Sequence, residues 1–193
     1  MGRHDVSGTW AVCFMIRVLR TLCKGCYELQ PLVLIDIRGG FVKTVHRSQF
    51  DNLGLRWDFV EQYYSSSHKR VLRGMHYQAS PMHHAKLIYC VQGRVLDVAL
   101  DLRFASATFR QYFTIELSAD LGNMVYLAPG FAHGFYVFSE SATLVYNVTS
   151  EFSAEHDLGL RWNSFGFCWP DSNPIVSVRD ANLPELSEAS YFL

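Results

Sequence analysis

The stretch KLIYCVQGRVLDVALD, Lys86 to Asp101, contains two β-rich runs joined at Gln92-Gly93, and in the second run Val95, Asp97, Ala99 and Asp101 alternate with Leu96, Val98 and Leu100. A period of two puts successive side chains on opposite faces of a strand, and glycine is suited to a tight connection. The segment therefore predicts a β-hairpin with one wet or site-facing side. Further short runs follow at 109–117 (FRQYFTIEL), 123–128 (NMVYLA), 134–138 (GFYVF) and 142–149 (ATLVYNVT). Their turn-separated spacing is that of a sandwich or barrel, so the predicted fold class is all-β. Helix signals are few. SQFDNLG, at 48–54, predicts a short helix with Ser48 as its cap, and the tail from Asp180 has room for one or two turns. The pentapeptide LGLRW at 53–57 returns at 158–162, too far away to be a repeat architecture.

Composition limits the function classes. The chain has 193 residues, 49% of them hydrophobic, which suits one domain with a substantial core. A net charge of −1 provides no basic field for nucleic acid, and the partner is expected to be a small molecule or another protein. The five cysteines, Cys13, Cys23, Cys26, Cys90 and Cys168, are an odd number, which points away from a disulfide framework and towards the cytoplasm. The one N-terminal apolar patch, Ala11 to Ile16, is too short for a signal segment or a membrane span. Residues 1–14 read as a non-native or disordered leader before Met15, followed by a single domain over 15–193. Asn147-Val148-Thr149 matches a glycosylation acceptor, but no signal peptide accompanies it.

Polar residues in the apolar frame point to a site. VLRGMHYQ, Val71 to Gln78, sets Arg73 and His76 three residues apart in a strand-like run. Burial without partners would cost each of them several kcal/mol, so they require hydrogen bonds, a ligand or a water-filled cavity. A flat strand would send them to opposite faces, so Gly74 is expected to mark a bulge that brings both to one cavity. APGFAHGF, Ala128 to Phe135, adds a Pro-Gly turn and places His133 where a strand begins, as β-barrels do with ligand-binding groups.

These β segments, the glycine turn and the Pro-Gly-x-x-His pattern point to a cupin-type double-stranded β-helix, or jelly roll. No metal is expected. His83 and His84 are adjacent and would point opposite ways on a strand, and no acid follows between His84 and Gly93. Cys23-x-x-Cys26 has no second pair to complete a zinc site.

VLRGMHYQ, KLIYCVQGRVLDVALDLR, LAPGFAHGFYVFSE, LVYNVTSEF and SVRDANLPEL, in that order and spacing, resemble the dTDP-4-dehydrorhamnose 3,5-epimerase family over about Asp36 to Leu186. The resemblance implies a metal-free jelly roll without a cofactor, commonly a homodimer, acting on a dTDP-sugar. It implies His76 as the base, oriented by Asp180, with Lys86 beside the sugar's C4 oxygen and Tyr146 as proton donor on the other face. Arg73 and Arg38 match the family's phosphate-contacting arginines, Gln62 and Tyr63 fall on its substrate-binding segment, and His133 matches a further active-site histidine. Epimerisation beside a ketone needs these parts: a base, a positive group for the enolate oxygen and an opposed acid.

The chain departs from the family at Gly40, Lys43, Glu61, Tyr63 and Asn147, which touch nucleotide and sugar recognition more than the chemistry. Asn147 replaces a cation next to Tyr146, a change expected to raise that phenol's pKa or alter its pose. The leading function is inversion at C3 and C5 of dTDP-4-keto-6-deoxy-D-glucose. C3-only epimerisation or keto-isomerisation of a related nucleotide sugar, and a catalytically silent binding protein, are the alternatives.

Overall fold

The computed structural model describes residues 16–189, and the leader expected over residues 1–14 lies outside them. In chain order the strands are β1 (Arg17–Cys23), β2 (Cys26–Gln30), β3 (Leu32–Asp36), β4 (Gly39–Lys43), β5 (Glu61–His68), β6 (Leu72–Gln78), β7 (Lys86–Gln92), β8 (Arg94–Asp101), β9 (Tyr112–Ser118), β10 (Met124–Leu127), β11 (Phe131–Val137), β12 (Ser141–Val148) and β13 (Asp157–Gly159). Among the described residues helix is confined to α1 (Arg47–Leu53), α2 (Val178–Ala181) and a 3-10 turn at Leu186–Glu188. None of these is long and apolar enough to cross a membrane.

A six-stranded sheet runs in the order β1-β2-β10-β7-β12-β5 and a five-stranded sheet in the order β13-β6-β11-β8-β9, while among the described residues β3 and β4 pair only with each other. From β5 to β13 the chain changes sheet at every connection except β8 to β9, which is the winding of the expected jelly roll. The segment 86–101 is therefore not a hairpin. β7 pairs with β10 and β12, whereas β8 pairs with β11 and β9, and the chain turns a corner at Gly93. Gly93 has φ +77, and a Cβ there would lie 2.1 Å from the Ser141 carbonyl oxygen.

The alternation in β8 is real, but neither face is wet. Val95 and Ala99 join Ile88, Val125, Leu127, Phe135 and Leu144 between the two sheets. Val98 and Leu100 belong to a second cluster, capped by Leu160, Phe165 and Trp169 from the C-terminal segment. Asp97 and Asp101 are 1% and 0% exposed, so both carboxylates need internal partners. A third cluster, on the outer side of the six-stranded sheet, gathers Leu29, Leu87 and Met124 around Phe50 of α1.

The short helix forms where expected, but Ser48 does not cap it. The N-cap is His46, without a side-chain bond to the helix, and Ser48 Oγ lies 3.1 Å from His46 Nδ1. Gly54 ends the helix in the left-handed region at φ 66, where its N–H bonds the carbonyl of Asp51.

Candidate active site

β6 is bulged where the sequence places Gly74. His133 of β11 stands opposite His76, and Phe135 stands opposite Arg73, so one residue of β11 faces both Gly74 and Met75. Gly74 has φ +125, and a Cβ on it would lie 2.6 Å from the Cα of Gly134, so only glycine fits. The extra residue resets the alternation and brings Arg73 and His76 to one cavity of about 200 Å³. That cavity is also lined by Lys86 of β7, His133 of β11, Tyr146 of β12, and Tyr63 and Ser65 of β5. A second hollow of about 290 Å³ shares Tyr63, His76 and Lys86 and continues past His84, Phe152, Asp157 and Arg179.

Each polar group is held in place. His76 Nε2 lies 2.8 Å from Asp180 Oδ1, and the other carboxylate oxygen accepts the Gly74 N–H at 3.0 Å. Asp180 is carried by α2, where its own N–H bonds the Ser177 hydroxyl at 3.0 Å. Burial by itself would raise this carboxyl, but the His76 and Gly74 hydrogen bonds outweigh it and hold the group below the usual carboxylate range. Lys86 Nζ donates to the His76 carbonyl at 3.2 Å; burial lowers its pKa to about 8, with Asp157 and Asp97 opposing the shift. Tyr146 is 6% exposed, its hydroxyl lies 3.3 Å from Ser65 Oγ, and burial pushes the phenol well above its ordinary pKa.

The His133 of the lining belongs to a second imidazole–carboxylate pair: its Nε2 lies 2.6 Å from Asp97 Oδ2, with both residues buried. The other Asp97 oxygen, Oδ1, has no hydrogen-bond partner among the described residues. Asp97 was not singled out from sequence, although its place in the alternating VLDVALD run is a signal for an inward-facing acid. Arg73 donates from Nε to Ser67 Oγ at 2.9 Å and from Nη2 to the Ser66 carbonyl at 3.2 Å.

Two sequence-selected residues are not brought to the cavity. Gln62 alternates with Tyr63 on β5 and donates to Asn147 Oδ1 at 2.7 Å on the opposite face of the sheet. Asn147 also donates to the Leu87 carbonyl, which holds its side chain on that face of the sheet. Arg38 sits at the exposed turn between β3 and β4, paired with Asp36 at 2.5 Å and away from His76.

The model of the dTDP-4-dehydrorhamnose 3,5-epimerase family matches residues 20–188. A dTDP-4-dehydrorhamnose 3,5-epimerase of Shigella flexneri is 36% identical, over 92% of this chain and 100% of that one. An epimerase of Legionella pneumophila, solved with dTDP-4-keto-L-rhamnose, superposes with a TM-score of 0.86 at 31% identity, over 91% of this chain and 95% of that one. A 3'-monoepimerase of Streptomyces bikiniensis, solved with dTDP-quinovose, gives a TM-score of 0.79 at 30% identity, over 84% of each chain. A jelly roll with these motifs in order and this likeness along almost its whole length belongs to the dTDP-4-dehydrorhamnose 3,5-epimerase family.

Proposed function

We propose that this chain inverts C3 and C5 of dTDP-4-keto-6-deoxy-D-glucose through enolate intermediates to give dTDP-4-keto-L-rhamnose. The observation that carries the reading is the convergence on one cavity of the His76–Asp180 pair from the five-stranded sheet and of the Tyr146 phenol and the Lys86 ammonium from the six-stranded sheet. Both carbons lie next to the C4 ketone, so each proton becomes acidic when the ketone oxygen is stabilised. Lys86 supplies that stabilisation: buried and still mostly charged at neutral pH, it favours a developing enolate over the neutral ketone. His76 is the base. Asp180 occupies Nε2, which leaves Nδ1 as the nitrogen for the carbon proton and stabilises the imidazolium that forms. Tyr146 returns a proton from the other face, and its raised pKa keeps the phenol in the donating form across ordinary pH.

Arg73 offers a planar fork to the diphosphate at the mouth of the cavity. Arg38 is assigned the same task on a neighbouring subunit. The β3–β4 arm that carries it pairs with no other strand among the described residues and exposes Ile35, Ile37 and Phe41, which supports a homodimer built through this arm. The odd cysteine count supports a reducing, cytoplasmic setting.

Incubation with dTDP-4-keto-6-deoxyglucose in heavy water tests the assignment. Deuterium at C3 and C5 of an L-configured product is the expected result. Label at C3 alone selects monoepimerisation, and no label at either carbon overturns both.

A further inference from the structure

Outside the cavity, Cys23 and Cys26 close the β1–β2 hairpin as a directly opposed pair across the turn Lys24-Gly25. Opposed residues of antiparallel strands have Cα atoms about 4.5–5.5 Å apart, inside the span of about 4.4–6.8 Å that a disulfide bridges. Cys26 is buried in the core between the sheets, while Cys23 is partly exposed at its edge. Gly25 lets the turn close on its surroundings, since a Cβ there would lie 2.9 Å from both Ala128 Cβ and Arg103 Nη1.

The surroundings of Cys23 are built around a fixed cation. Arg103 donates to Asp101 from Nε at 2.8 Å and from Nη2 at 2.7 Å, and its guanidinium stacks over the Phe131 ring at 4.3 Å. Asp101 also accepts from the Ser106 and Thr108 hydroxyls, each at 2.7 Å, so its charge is shared among three side chains. This cluster abuts the hairpin turn, since Arg103 Nη1 is one of the atoms that a Cβ on Gly25 would meet. Neither thiol is used by the epimerase chemistry.

We propose that Cys23 and Cys26 form a peroxide-reactive dithiol, with Cys23 the attacking thiolate and Cys26 the resolving thiol. The Cys26 thiol is the main cause that lowers the Cys23 thiol below its ordinary pKa, helped by Thr108 and Arg103 against burial and the Asp101 carboxylate. In the first step the Cys23 thiolate attacks a peroxide oxygen: an S–O bond forms, the O–O bond breaks, and the departing oxygen takes a proton. In the second step the Cys26 sulfur attacks Cys23; the S–S bond forms, the S–O bond breaks, and hydroxide leaves with the Cys26 proton as water. The two thiols lose two electrons, and one hydrogen peroxide is reduced to two waters.

Peroxide treatment of the full chain, followed by tryptic digestion without reduction, tests this. Cleavage after Arg20, Lys24 and Arg38 separates TLCK from GCYELQPLVLIDIR, so the bridge appears as one species joining the two peptides, lighter by two hydrogens than their sum. Loss of that species on adding dithiothreitol is expected, as is its absence from Cys23→Ser. Cys26→Ser should stop at the sulfenic acid, captured on Cys23 by dimedone. Recovery of both cysteines as free thiols after peroxide, or bridges from either one to Cys168 in place of the internal pair, would overturn the proposal.

Discussion

The ring of Tyr63 lies nearly parallel to that of Tyr146, with centroids 4.8 Å apart and 14° between the planes, while the His133 ring meets Tyr146 edge-on at 6.1 Å. The proposed proton donor is therefore clamped, and its hydroxyl has Ser65 as neighbour. Tyr146→Phe keeps the clamp and removes the proton. Inversion at C5 should fall by roughly 10²–10⁴-fold, the usual worth of a positioned acid, while His76-dependent exchange at C3 continues. Proton NMR in heavy water resolves the two carbons, and equal loss at both would count against a separate donor role. Tyr63→Ala removes the clamp and should cost a few-fold in kcat, since aromatic pairs contribute about 0.5–1.5 kcal/mol beyond burial.

His76→Asn removes the base without emptying the space and should lower turnover by roughly 10²–10⁴-fold. Asp180→Asn should also be impaired, because an amide can donate to Nε2 and thus favour the wrong tautomer. Binding of dTDP, measured by calorimetry, should change little in either variant, since Arg73 is held by Ser66 and Ser67 and not by the dyad. A variant that retained near-full turnover would remove the dyad from the mechanism.

What could be read from sequence follows from the range of each signal. Period-two alternation is local, so it revealed strands such as β8 and β12 but not their partners; the neighbours of β7 are β10 and β12, not the run that follows it in the chain. β5 has too many serines and tyrosines for an apolar alternation to show, yet it supplies Tyr63 and Ser65 to the cavity. The bulge at Gly74 was legible because two cations so placed have few other arrangements. The pairing of His76 with Asp180, 104 residues apart, has no local signature and came only from family resemblance. Gln62 was misplaced by an alternation of one residue, which sends its side chain to Asn147 on the far face.

The Asp97–His133 pair makes a prediction about stability as well as activity. Both side chains are buried, so Asp97→Ala leaves an imidazole without its partner; removing one member of a buried pair typically costs about 3–5 kcal/mol. Thermal unfolding should show a clear drop in Tm. The double variant Asp97→Ala/His133→Phe should recover part of it, because no orphaned polar group remains. A single variant as stable as the parent chain would mean that the pair is replaced by water at no cost.

Lys86 predicts opposite pH responses of rate and stability. Its pKa is lowered from 10.5 to about 8, chiefly by burial, so the ammonium that is to stabilise the enolate is lost as the pH rises through about 8. Turnover should fall on this alkaline limb. Stability runs the other way. Between about 8 and 10.5 the unfolded chain holds a proton at this position that the folded chain has released, so in this window raising the pH stabilises the fold. At pH below both values the buried charge costs about 3 kcal/mol, from the shift at 1.36 kcal/mol per pKa unit. Lys86→Met should therefore be nearly inactive at every pH yet more stable than the parent chain at neutral pH, with the difference shrinking as the pH approaches 10. Denaturant unfolding of the two proteins at several pH values measures that difference directly. A gap that stays constant with pH would show that Lys86 titrates in the folded protein as it does in the unfolded chain, and the alkaline limb of the rate would then need another group.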